Sequence, residues 1–310
     1  GMQPALTTGD RFQGTYLFPG GATWNSRRGD AEGALYTTQS NSWGIVRVGP
    51  AGQTSLAMPC NRRIEDDTQI YCPYEIRVNS SGAMVHLQST NRSDTRLVYT
   101  KNGVSKTVFT NGASANYLTN IPGFGTVASW GEYVLDDDGR VLALLRNREG
   151  EFGIFVWQDG AWTKVIRANE TFGRWPALNF ATLKTVGNKF YFRVQLPGGA
   201  WGLAEFETGA PRVKLDIEET GANGMPLTNI GLYDVNSSGD VVLQTFAFGQ
   251  TTYQVKRGNQ LFHLYSTRNL TEDGELLWRL VDFDIRDNGD IYTLFVTVAD
   301  EPVIYRATKI

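Results

Sequence analysis

Five carboxylates and one guanidinium stand at matched places in a repeating pattern: Glu75, Arg77, Glu132, Asp234, Asp282 and Asp284. Each lies five or seven residues ahead of a glycine that ends a polar turn, namely Gly82, Gly139, Gly239 or Gly289. Carboxylates gathered on one surface suit two kinds of chemistry. They hold a hard cation such as calcium through oxygen ligands. They also share acid–base work on a sugar or ester when two of them stand about 5–10 Å apart. Asp136, Lys184 and Arg286 fall on the same side, and mixed charge of this kind also forms ion pairs and holds ordered water.

A second set of residues is aromatic. Tyr74, Tyr117, Phe124, Trp175 and Trp278 sit in or beside long connections at 59–73, 111–128, 169–179, 218–230 and 267–278. Long connections on a rigid scaffold commonly carry binding sites. Aromatic rings there stack on sugars or anchor a protein, or they fill gaps as core. Cys60 and Cys72, the two cysteines, bracket a polar stretch and would close a small loop if bonded; the alternative is two free thiols.

Other chemistries lack their parts. The chain has two histidines, His86 and His263, and no Gly-x-Ser-x-Gly motif beside either. His86 lies between Val85 and Leu87 and reads as a hydrogen-bonded core residue. Asp136-Asp137-Asp138-Gly139 and Asp287-Asn288-Gly289-Asp290 lack the twelfth-position Glu of a calcium loop and read as turns. No cofactor or dedicated metal set is expected beyond a cation held by the acidic cluster. The net charge is −3 and no basic patch stands out, which argues against nucleic acid. No apolar run reaches the ~18 residues of a membrane helix.

The elements that must position these residues are short strands. Runs rich in Val, Tyr, Phe, Leu and Thr alternate with Gly, Asn and Asp turns, and long helical periodicity is missing. The turn glycines Gly29, Gly82, Gly139, Gly187, Gly239 and Gly289 are spaced 53, 57, 48, 52 and 50 residues apart. A period in that range with four strand segments per unit predicts a six-bladed β-propeller of four-stranded blades. It is read as a single domain over 1–310, with blades near 22–58, 74–110, 129–168, 180–217, 231–266 and 279–308. The last unit lacks a fourth strand. Residues 12–18 are a spare one, so the ring is expected to close by pairing that strand onto the last blade.

Alternation sets the faces. Four and six residues before each turn glycine stand Val78 and Ile76, Leu135 and Tyr133, Leu183 and Ala181, Val235 and Tyr233, Ile285 and Phe283. That face is expected to pack between blades, which leaves the acidic set lining a central channel. In the first unit Trp24 and Asn25 break the rule, as a one-residue register shift would make them do.

Asn79-Ser80-Ser81-Gly82 and Asn236-Ser237-Ser238-Gly239, each preceded by Val, resemble the Asn-x-x-Gly-x-x-x-Phe tandem repeats of bacterial exported propeller proteins. The resemblance implies a propeller-like exported protein, outside the cell, periplasmic or at its surface, and supplies no catalytic residues. Gly1-Met2 has the pattern left by a cleaved tag, so a leader is expected to have been removed. The expected function is non-catalytic binding of a glycan or protein by a monomer. Its ligand site lies on the long-loop face or at the channel mouth. The competing expectation is a sugar- or ester-active hydrolase or lyase using the channel-mouth carboxylates.

Overall fold

The computed structural model describes residues 11–12, 15–16, 35–39, 44–49, 53–63, 69–91, 93–112, 118–216, 227, 229–247, 250–266, 277–298 and 302–307. The protein is all-β. Its strands form serial antiparallel sheets in which each strand pairs with its sequence neighbours. The first sheet holds Leu35–Gln39, Gly44–Val48 and Thr54–Pro59. The second holds Tyr74–Val78, Met84–Ser89, Asp94–Lys101 and Val104–Gly112. The third runs Gly125–Leu135, Val141–Asn147, Phe152–Gln158 and Ala161–Arg167, with Asn120–Ile121 added at its start. The fourth holds Asn179–Val186, Lys189–Gln195, Trp201–Phe206 and Arg212–Leu215. The fifth holds Ile230–Val235, Val241–Ala247, Gln250–Arg257 and Gln260–Ser266. The sixth has three strands among the described residues, Leu277–Ile285, Ile291–Thr297 and Pro302–Ala307.

The chain comprises two compact units, Gly1–Lys164 and Val165–Ile310. The division falls inside the last strand of the third sheet. Pairing that is local in sequence allows such a division, because each sheet closes its own ladders without distant strands.

Apolar sequence builds the layers. Val141 through Leu145 are all buried, so both faces of that strand are covered. In the first unit Val85, Leu87, Leu97 and Phe109 of the second sheet pack against Tyr133, Leu135, Ala143, Phe155 and Trp157 of the third. In the second unit Tyr191, Leu203 and Leu215 of the fourth sheet meet Tyr233, Val235 and Leu243 of the fifth. Val242 and Val255 of the fifth meet Phe283, Ile285 and Ile291 of the sixth. The packing face expected from alternation is therefore the observed one: of its ten side chains only Ala181 is less than fully buried.

The repeated turn explains its own sequence. Asn79 is buried, and its side-chain oxygen accepts from Ser81 N–H and Ala83 N–H at 3.1 and 2.9 Å. Its amide donates at 2.9 Å to the Asp136 carbonyl in the matching turn of the next sheet. The Asp137 carboxylate accepts from Ser80 N–H at 3.0 Å. The fifth and sixth sheets repeat the device: Asn236 donates to the Arg286 carbonyl at 3.1 Å, and Asp287 accepts from Ser237 N–H at 2.8 Å. Asp136 closes its own turn by accepting from Arg140 N–H at 2.7 Å and pairing with the guanidinium at 2.6 Å. The acidic motifs are turns, as read from the sequence. Gly139 has φ +82, which favours glycine, and an added Cβ would stand 2.7 Å from the Tyr99 hydroxyl, so that side chain would have to shift.

Two expectations change. The segment expected as one ring-closing strand over 12–18 holds a small hairpin instead, Arg11–Phe12 paired with Thr15–Tyr16. The described residues of this segment form no longer strand than these two-residue arms, each paired with the other. The connections 111–128 and 169–179 are also partly strand: Gly125 onward belongs to the third sheet, and Thr171–Phe172 pairs with Trp175–Pro176. Trp24 and Asn25 lie outside the described residues.

Removing the turn amide should cost about 2 kcal/mol for Asn79→Ala and for Asn236→Ala, since each breaks the tie to the next turn and takes the side-chain acceptor from the Ala83 or Asp240 N–H. Urea unfolding measures this; Ser80→Ala, which removes an exposed hydroxyl, should stay within about 0.5 kcal/mol.

Candidate functional site

The first strand of every sheet from the second to the sixth slips register before its turn. The slips fall between Tyr74 and Arg77, Trp130 and Tyr133, Ala181 and Lys184, Ile230 and Tyr233, and Leu280 and Asp282. Each slip is a β-bulge, which bends the strand and re-aims side chains. Glu75 and Thr182 lie in two of these bulges with φ of +50° and +54°. A left-handed non-glycine residue costs about 1–3 kcal/mol and persists only where its surroundings hold it.

A tyrosine of the next sheet holds each one. The Tyr133 hydroxyl donates to the Glu75 carbonyl, and the Tyr233 hydroxyl donates to the Thr182 carbonyl at 2.5 Å. The residue two past each strained position is a cation lying over the same ring. Arg77 sits 5.4 Å from the Tyr133 centroid and Lys184 sits 5.5 Å from that of Tyr233. Glu75-Ile76-Arg77 and Thr182-Leu183-Lys184 thus present one motif twice, once in each unit. In the second unit Arg193 adds a donor to the Thr182 hydroxyl at 3.2 Å and another to the Ile230 carbonyl at 2.9 Å.

The residues expected to form a site fall in both units, and each set has its own surroundings. Glu75 and Tyr74 are exposed, Arg77 is half-buried, and Glu132 is exposed directly beside Tyr133. Arg77, Glu75 and Tyr74 lie near the Tyr133 hydroxyl, and Glu132 precedes Tyr133 in the strand. Asp234 does not belong to an open site. It is 8% exposed, pairs with Lys184 at 2.8 Å and accepts from Ile285 N–H at 3.1 Å. Burial between sheets forces that carboxylate to take partners. Asp284 pairs with Arg286 at 2.7 Å. The side chains of Asp282 and Trp278, and all of Tyr117, lie outside the described residues. Phe124 is a correction: it is buried against Phe155, with centroids 4.5 Å apart, because its turn folds back onto the third sheet. Trp175 is half-buried with the Arg174 guanidinium 5.4 Å from its centroid.

Cys60 and Cys72 are joined as a disulfide around the hairpin Arg62–Arg63 with Gln69–Ile70. His86 is fully buried with Nε2 3.3 Å from the Thr100 hydroxyl, as a core histidine. Among the described residues no three His, Cys, Asp or Glu side chains gather to hold a metal, and no described helix is long and apolar enough to cross a membrane. The residues that sequence reasoning missed as organisers are Tyr133, Tyr233 and Thr182. Their signal was present: a tyrosine six residues before a turn glycine, one unit after an x-aliphatic-cation triplet.

No family model and no curated protein matches the chain. Solved structures do. The chain is similar to the β-propeller domain of the Trilobed protease from Pyrococcus furiosus, with 11% identity and a TM-score of 0.40, covering 92% of this chain and 94% of that one. It is similar to the SapL1 lectin in complex with alpha methyl fucoside, with 11% identity, a TM-score of 0.39 and coverage of 89% and 92%. The gluconolactonase XC5397 from Xanthomonas campestris matches with 9% identity, a TM-score of 0.39 and coverage of 89% and 82%. At these scores the architecture is argued from the chain's own sheets.

Burial raises the Tyr133, Tyr191 and Tyr265 hydroxyls far above the usual tyrosine range, and raises those of Tyr99 and Tyr253 as well. The folded chain therefore keeps protons that the unfolded chain releases from about pH 10. Stability should be insensitive to these groups below pH 10 and should fall as pH rises beyond it. Denaturant midpoints across pH 8–11 measure the slope, and Tyr133→Phe should make it shallower. The same variant should lose about 1–2 kcal/mol at pH 7 by leaving the Glu75 carbonyl without its donor.

Proposed function

We propose that this chain is a six-bladed propeller acting as a monomeric, non-catalytic, exported module that binds a glycan. The single observation behind this reading is the Tyr133 tie. It holds the exposed Tyr74 and Glu75 in a strained bulge, beside Arg77 and Glu132. Strain maintained at an exposed position is characteristic of ligand sites. The chemistry suits sugars: a tyrosine ring offers an apolar face for a pyranose, and a carboxylate accepts hydrogen bonds from hydroxyls. Six blades are supported by the spacing of the turn glycines and by the bulge that recurs in five consecutive sheets. Export is supported by the Cys60–Cys72 disulfide, a bond that persists in oxidising compartments.

A glycan array followed by calorimetry tests the reading. Tyr74→Ala and Glu132→Gln should each weaken the selected oligosaccharide about tenfold, and neither should move the unfolding midpoint by much, since both side chains are exposed. Steady conversion of the bound oligosaccharide, lost in Glu132→Gln, would replace this reading with the hydrolase one.

A further inference from the structure

The two copies of the tyrosine motif differ in the charge around the cation. In the second unit the cation over the ring is neutralised: Lys184 pairs at 2.8 Å with Asp234, the residue after Tyr233. In the first unit the residue after Tyr133 is Val134, which is buried and carries no charge. Arg77 keeps its place over the ring and donates from Nη1 to the Ile76 carbonyl at 3.0 Å. Among the described residues no carboxylate forms an ion pair with it. A half-buried guanidinium held over an aromatic face, with one hydrogen bond among the described residues, presents a planar fork suited to a bidentate anion.

We infer that Arg77 is a specificity-determining residue that docks the carboxylate of an acidic sugar, a uronic-acid unit, in the site beside Tyr74. The inference rests on the glycan reading above and deepens it. Arg77 supplies the fork, Tyr133 fixes its height by lying beneath it, and the exposed Tyr74 ring is the neighbouring surface for the pyranose. Glu75 is placed to accept from a sugar hydroxyl, and Arg77 is the cation of this motif among the described residues that favours an anion. The position held by Asp234 in the second unit shows how the chain silences the same motif, by placing a carboxylate one residue after the tyrosine.

The test is calorimetry of the full chain with an oligogalacturonate and with the same oligomer fully methyl-esterified. The wild type should prefer the acid by about tenfold or more, with the preference shrinking as salt rises. Arg77→Ala should abolish the preference, and Arg77→Lys should keep only part of it. Val134→Asp copies the second unit into the first and should also abolish it, while circular dichroism shows the fold retained. Glu75→Gln should raise the acid-to-ester ratio by removing a repelling charge. An acid preference that survives in both Arg77→Ala and Val134→Asp would overturn the assignment. Equal binding of acid and ester by the wild type would overturn it too, while leaving the glycan reading standing. Binding of neither oligomer, with neutral glycans still captured on the array, rejects the uronate alone. Failure to bind any glycan rejects both readings.

Discussion

The hydroxyl of Tyr133 reaches out of one sheet and holds a carbonyl in the next, and much else in the first unit depends on that bond. Without it Glu75 would have no reason to stay in the left-handed region, where a side chain with a Cβ is strained. The bulge would relax toward regular alternation, Arg77 would leave the ring, and Tyr74 would turn with the strand. Burial strengthens the arrangement, because the same desolvation that raises the tyrosine's pKa makes its hydrogen bond costly to break. Tyr233 does the same work for Thr182 in the second unit, with a different charge balance around it.

A second set of ties lies at the turns. Each asparagine spends its oxygen on its own turn and its amide on the next sheet's turn, so one side chain shapes a hairpin and fastens it to a neighbour. This is why the turn recurs as a sequence motif, and why an aspartate with a partner arginine can stand in where Asp136 does. Between the turns the sheets are held by interleaved aliphatic and aromatic layers, including the ring pairs Phe124–Phe155 and Tyr99–Trp157. Stiff layers with ties at the strand ends leave the bulges as the places where a side chain can be aimed away from the core.

Charge is distributed by the same logic. Asp234, Asp136 and Asp290 are buried and paired with Lys184, Arg140 and Arg306. They hold turns and strands together and are closed to a ligand. Glu75 and Glu132 are exposed, and Arg77 has no carboxylate partner among the described residues. The contrast between Val134 and Asp234 separates an open motif from a closed one.

By itself the sequence determined the all-β class, the order of the strands and the face each inner strand buries. Glycine spacing and period-two alternation are local signals, and Ile76, Leu135, Tyr233 and Ile285 obey them. It also singled out the asparagine turns as repeats, since a turn's chemistry is written in four adjacent residues. What only the tertiary structure decided was which polar residues on the other face are engaged. A bulge shifts register by one residue without any strong mark in composition, so counting by twos places Glu75 and Asp234 on one surface although one is exposed and the other sealed. Partners fifty or more residues away, Tyr133 for Glu75 and Lys184 for Asp234, settle that difference, and no local pattern specifies which distant side chain arrives.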